Sequence, residues 1–288
     1  RAQGGRSPES ADGGEPAPAL LEPHRLTDAN PGLSDRVPAR ASIHRWTAED
    51  GTELETQLFI PRGRPGPHPL VVIPYGGYTA GFPESEYFLD LGVLPLVSRG
   101  WAVVRPNTRG RAGDTSPVGR YGEIQLVDTH ALVDDLAAAG IVDPARVAVI
   151  GHSHGGSMAH YYLTHSDRFC AVTAINGRAD WIAQAEHGDG YLVNAMGGSP
   201  DELPDLYAAA SPVANVDAVT APLLAIAGRR DTQIPAWNAE SMVSSLTERG
   251  HSAELLVFEE EGHLFANAEN RRRIWDRIFA LLDRACVR

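Results

Sequence analysis

The sequence predicts an α/β fold, a mostly parallel central sheet with helices on both faces. Three observations carry this expectation. From residue 70 onward, short apolar runs alternate with stretches whose apolar residues recur at helical spacing. Runs such as Leu70-Val71-Val72-Ile73 and Trp101-Ala102-Val103-Val104 lack polar alternation, the mark of strands covered on both faces. The chain has 288 residues, 43% hydrophobic and 22% charged, enough to bury one large core. Strands joined through intervening helices pair in parallel.

Residues 1–40 are dense in Gly, Pro, Ala and charge, with no apolar cluster before Ala19-Leu20-Leu21. They are expected to form an extended or disordered arm, leaving 41–288 as the folded domain. The chain starts at Arg1 rather than Met, which suggests a processed or excised piece. No charged start precedes an apolar core, so a secretion signal is expected to be already removed or never present. Ordered structure should begin near Ser42, with strands over Ser42–Thr47 and Leu54–Pro61 joined by an Asp50-Gly51 turn. Leu70–Ile73 follows as a strand, then a helix over Glu84–Ser98 ended by Gly100, then the Trp101–Val104 strand. Glu123–Ala139 places Ile124, Val127, Ala131 and Leu132 on one helical face and closes at Gly140. Further strands are expected at Arg146–Ile150, Cys170–Ile175, Leu223–Ala227 and Ala253–Phe258. Helices are expected at His154–Thr164, Ala236–Arg249 and Ala268–Arg284, with the less regular Trp181–Pro212 able to cap a site.

Composition narrows the function. Lys+Arg total 25 against 37 Asp+Glu, a formal charge of −12, which disfavours nucleic acid and anionic membrane surfaces. No apolar run approaches the roughly 18–20 residues that span a bilayer. Cys170 and Cys286 are too few for a disulfide scaffold and form no Cys-x-x-Cys pair, so zinc-finger and redox-motif readings fall away. Every basic residue is Arg, which excludes Schiff-base chemistry on a lysine.

The strongest local signal is Gly151-His152-Ser153-His154-Gly155-Gly156, a Gly-x-Ser-x-Gly turn between a buried strand and an apolar helix with Met158 and Ala159. Such a turn pushes Ser153 into a site, and its glycines avoid collision with neighbouring backbone. A phosphate-binding turn would need the Gly-x-Gly-x-x-Gly spacing, which is absent. A serine nucleophile needs a base, and the base an orienting carboxylate. In the α/β-hydrolase fold the chain order is Ser, acid, His. Asp231 follows the Leu223–Ala227 strand and His263 follows the last strand, so they are the expected acid and base. Asp180 also follows a strand and is the rival acid, while His251 precedes its strand and lies at the wrong end of the sheet. His152 and His154 flank the nucleophile and are placed to shape the pocket. An oxyanion hole needs two donors. The N–H of His154 is one, and Pro74-Tyr75-Gly76-Gly77-Tyr78 should supply the other, with Gly76 and Gly77 letting backbone approach substrate. The alternative for Tyr75 is a packing aromatic.

Residues about 42–285 resemble the catalytic domain of the prolyl oligopeptidase family of serine peptidases. Tyr75-Gly76-Gly77-Tyr78 resembles its oxyanion loop, Asn107-Thr108-Arg109-Gly110 its Asn-x-Arg-Gly segment, and Gly151–Gly156 its nucleophile turn. Ser211-Pro212, Gly228-Arg229-Arg230-Asp231 and Glu261-Gly262-His263 complete the series. The resemblance implies that the Tyr75 hydroxyl donates to the oxyanion, and it adds Arg109 to Gly76, Gly77 and His152 as expected substrate contacts. Two positions depart from it: His154 stands where many relatives carry Tyr or Asn, and Tyr75 where many carry His. Arg25–Pro31 resembles the junction to a β-propeller in acylaminoacyl and dipeptidyl peptidases. About 40 residues is roughly one blade's worth, so the propeller is lost or the chain is the C-terminal portion of something longer.

The expected function is hydrolysis of short peptides or acylated amides through a Ser-Asp-His triad and an acyl-enzyme. A carboxylesterase with the same machinery is the alternative, and a non-catalytic binding protein the remote one. No metal or organic cofactor is expected. The expected partner is a small peptide or ester, with neither nucleic acid nor membrane, and assembly into a homo-oligomer stays open.

Overall fold

A computed structural model describes residues 39–74, 93–110 and 118–287. All of them belong to one compact unit, Pro38–Arg288. The fold is built on eight strands: β1 (Ala39–Thr47), β2 (Glu53–Pro61), β3 (His68–Val72), β4 (Ala102–Pro106), β5 (Val142–His152), β6 (Ala171–Ile175), β7 (Leu223–Gly228) and β8 (Ala253–Phe258). They form one sheet in the order β1-β2-β4-β3-β5-β6-β7-β8. The β1–β2 and β2–β4 pairs are antiparallel, and every later pair is parallel. This is the α/β-hydrolase fold that the element pattern predicts.

The helices are α1 (Val93–Ser98), α2 (Glu123–Ala138), α3 (His154–His165), α4 (Trp181–Glu186), α5 (Gly190–Met196), α6 (Pro204–Ala210), α7 (Trp237–Glu248) and α8 (Ala268–Ala285). β1 starts at Ala39, slightly ahead of the expected Ser42. Of the helix expected over Glu84–Ser98, residues 84–92 lie outside the described residues, and α1 covers the remainder.

Alternation along the central strands sorts two cores. Leu70, Val72, Val104, Val147 and Val149 pack on one side with Met158, Ala159 and Leu132. Val71, Ile73, Val103, Ala148 and Ile150 pack on the other with Leu96, Ile278 and Leu282. Because both faces are covered, every residue of β4 and β7 is buried, which explains the apolar runs Ala102-Val103-Val104 and Leu223–Ala227; β4 then ends on the buried Arg105 and Pro106. Parallel pairing also brings the ends of β5, β6, β7 and β8 to one edge, where the loops carrying Ser153 (after β5), Asp231 (after β7) and His263 (after β8) begin.

Candidate active site

Ser153 occupies the one-residue turn between β5 and α3, at φ 60° and ψ −121°. A side chain bears this strained conformation only where the surroundings impose it. The neighbours do so here. A Cβ on Gly151 would lie 1.9 Å from the Gly155 carbonyl oxygen, and one on Gly156 would lie 2.6 Å from that of Ile175. The Ser153 N–H donates to the Ile175 carbonyl at 2.9 Å, tying the turn to the end of β6. His154 is the first residue of α3, so its amide lies in the helical turn whose N–H groups point out of the helix end.

Asp231 lies three residues beyond β7, with its side chain fully buried. Its Oδ1 accepts from the N–H groups of Gln233 at 2.8 Å and Ile234 at 3.0 Å, which fixes the carboxylate plane. Its Oδ2 lies 2.6 Å from His263 Nδ1. A carboxylate can only accept, so Nδ1 carries the proton and the lone pair of Nε2 faces outward. That Nε2 lies 2.8 Å from the Ser153 hydroxyl oxygen. The three side chains form one chain of hydrogen bonds that can pass the serine proton to the imidazole.

The loop carrying His263 is knotted by Glu261, which is 4% exposed. Its carboxylate accepts from the N–H groups of Ala266 at 2.9 Å and Asn267 at 3.0 Å, and from Asn270 Nδ2 at 2.8 Å. Burial opposes its ionisation, yet these donors hold its carboxyl below the usual range. His152 Nε2 donates to the His263 carbonyl at 2.7 Å. The His154 ring meets the Tyr121 hydroxyl at 2.8 Å, and Tyr121 in turn packs on Trp181.

The other expected site residues divide. The rival acid Asp180 is the N-cap of α4, accepting from the Ala183 N–H at 3.0 Å. Arg109, expected against substrate, has its Nε 3.1 Å and one Nη 2.5 Å from Asp128 Oδ1, and its other Nη reaches Asp50. Its guanidinium thus anchors the end of β4 to α2 and to the β1–β2 turn. Tyr75, Gly76 and Gly77 lie outside the described residues. Among the described residues no group of three or more His, Cys, Asp or Glu is arranged to hold a metal ion, and no helix is long and apolar enough to cross a membrane. Sequence reasoning missed Tyr121 and Glu261. The only signal for Glu261 was its place in the Glu261-Gly262-His263 motif.

Residues 88–287 match the model of the prolyl oligopeptidase family. The chain belongs to that family. It is 27% identical over 238 residues to acylamino-acid-releasing enzyme 2 of Oryza sativa, covering 74% of this chain and 30% of the plant protein. It is 26% identical to a putative carboxymethylenebutenolidase of Yersinia pestis, covering 77% of each. A Mycobacterium tuberculosis puromycin-hydrolyzing peptidase superposes with a TM-score of 0.78 at 26% identity, covering 86% of this chain and 39% of that one. The chain therefore spans less than half the length of both the plant enzyme and the mycobacterial peptidase.

Proposed function

We propose that this domain hydrolyses short peptides or acylated amides as a serine peptidase. The observation that carries the reading is the hydrogen-bonded series Asp231–His263–Ser153 at 2.6 and 2.8 Å. Ser153 attacks the scissile carbonyl while His263 takes its proton, and Asp231 holds the ring in the required tautomer. The tetrahedral oxyanion is met by the His154 N–H and by the Tyr75 hydroxyl. His263 then gives its proton to the leaving amine, the acyl group remains on Ser153, and a water activated by the same imidazole releases it. Each step uses side chains and backbone of this protein and water, with no metal or organic cofactor.

Family membership supports an amide substrate, as does the similarity to peptidases. Similarity to a putative carboxymethylenebutenolidase supports a second reading, a carboxylesterase built on the same residues. A paired screen of aminoacyl-4-nitroanilides and 4-nitrophenyl esters separates the two. A peptidase turns over at least one anilide in a Ser153-dependent manner. Turnover of esters alone would replace the first reading by the second.

A further inference from the structure

We propose that Asn176 is a positioning residue that holds the acid-bearing and base-bearing loops in one frame, an inference that rests on the triad reading above. Asn176 directly follows β6, between the strand that carries Ser153 and the strand that leads to Asp231. It is 2% exposed. Its φ of 46° lies in the left-handed region, which Asn tolerates better than most residues with a side chain. Its backbone N–H donates to the Ile226 carbonyl at 2.9 Å, fixing where the side chain starts.

The amide then makes three hydrogen bonds to two other loops. Oδ1 accepts from the Gly228 N–H at 2.9 Å. Nδ2 donates to the carbonyls of Gly262 at 3.2 Å and His263 at 2.9 Å. An amide nitrogen carries two hydrogens, enough to serve both carbonyls. Gly228 ends β7, and its carbonyl accepts from the Asp231 N–H at 3.1 Å, so it opens the turn that presents the acid. The two loops touch at this point. A Cβ on Gly228 would lie 2.3 Å from the Gly262 carbonyl oxygen and 2.6 Å from that of Glu261. Asn176 thus bridges the backbone of the acid turn and the backbone of the base itself. The separation of those two backbones bears directly on the 2.6 Å contact between His263 and Asp231, and the place of the His263 backbone in turn determines how its ring reaches Ser153 at 2.8 Å. An amide suits this place because it offers one acceptor and two donors without charge. A carboxylate of the same shape would turn an oxygen against two carbonyl oxygens.

A residue that merely stabilised the fold would change the amount of folded protein and leave each folded molecule fully active. A substrate ligand would change KM. A positioning residue lowers kcat in molecules that are folded and titratable, because a misplacement of about 1 Å can cost on the order of 100-fold. The test is Asn176→Gly, which keeps the left-handed backbone and removes the side-chain bonds, together with Asn176→Asp, which keeps an acceptor for Gly228 and removes both donors. Rates are normalised to active sites counted with a fluorophosphonate. The low-field proton resonance of the His263 Nδ1–H on Asp231 is recorded alongside. Both variants should lose about 10- to 100-fold in kcat per titrated site, with KM within about twofold, and the resonance should shift or broaden. The proposal is overturned if kcat per titrated site stays within about twofold, if only KM moves, or if the loss disappears once the folded fraction is counted. Ser153→Ala separates the two layers of argument. It should abolish turnover yet keep the resonance, and persistent turnover there would remove the triad reading itself.

Discussion

His152 Nε2 lies 2.7 Å from the carbonyl oxygen of His263, so the residue before the candidate nucleophile grips the backbone of the candidate base. The two rings sit 5.0 Å apart between centroids. The nucleophile turn and the base loop are therefore coupled directly, and not only through the Ser153 hydroxyl. This contact ties down a ring that the sequence placed among the substrate contacts.

Arg109 is predicted to matter for stability more than for substrate affinity. Its side chain is 14% exposed and that of its partner Asp128 is fully buried. Arg109→Ala would leave a buried carboxylate without its cation, a loss of about 3–5 kcal/mol. Arg109→Lys should recover only part of it, because an ammonium cannot reproduce the forked contact. Urea denaturation of both variants checks this. A substrate contact would instead raise KM at unchanged stability.

His160 predicts an acid-sensitive fold. It is fully buried in α3, its Nδ1 donates to the Arg178 carbonyl at 3.1 Å, and burial pushes its pKa down to about 4. The folded state thus binds the proton less readily than the unfolded chain, where an imidazole titrates near ~6.5. The sign follows: the neutral ring's contribution is complete above about pH 6.5 and is lost as pH falls towards 4, by about 3 kcal/mol in all. His130, also depressed by burial, acts in the same direction. His160→Leu should flatten the fall in unfolding free energy between pH 7 and 4.5, and an unchanged slope would count against this assignment.

Cys170 and Cys286 form a disulfide with Cα atoms 5.2 Å apart, joining the start of β6 to the end of α8 across 116 residues. Closing so long a loop restricts the unfolded chain, and removing the bond should cost about 2–5 kcal/mol. Cys286→Ser is expected to lower the melting temperature while leaving kcat at 25 °C within about twofold. Titration of the native chain with a thiol reagent should find no free thiol.

Tyr75→Phe should lower kcat on anilides by about 10- to 1,000-fold, or roughly 1.4–4 kcal/mol, with little change in KM. On the proposed oxyanion role, the phenol's bond would strengthen as charge develops, which places the loss in the transition state. A tyrosine that only packs would leave kcat within about twofold.

How much could be read in advance follows from where the information lies. β3, β4, β6 and β7 were legible because strands covered on both faces carry short apolar runs such as Leu70-Val71-Val72 and Leu223–Ala227, whereas β8, an edge strand in which only Phe258 is buried, showed through its Leu255-Leu256-Val257-Phe258 run. The start of β5 was not. Val142 pairs with His68 across an irregular register, and the residues that follow, Asp143 and Arg146, look like loop. Helices α4, α5 and α6 span six or seven residues each, too few to show a helical period, and two of them are marked only by the caps Asp180 and Asp189. Ser153, Asp231 and His263 stood out because the elbow pattern and strand ends fix their order. Asn176 did not, since its partners lie 52 and 87 residues along the chain and no local pattern announces them. The cysteine pair was hidden for the same reason.

The most direct test of the account is the turnover number of Ser153→Ala beside those of His263→Ala and the double variant, on a substrate that the wild-type chain cleaves. Residues acting as one unit should each cost on the order of 10⁶-fold, and the double variant should be little worse than either single one. Retention of more than about a tenth of wild-type turnover in Ser153→Ala would contradict the central claim.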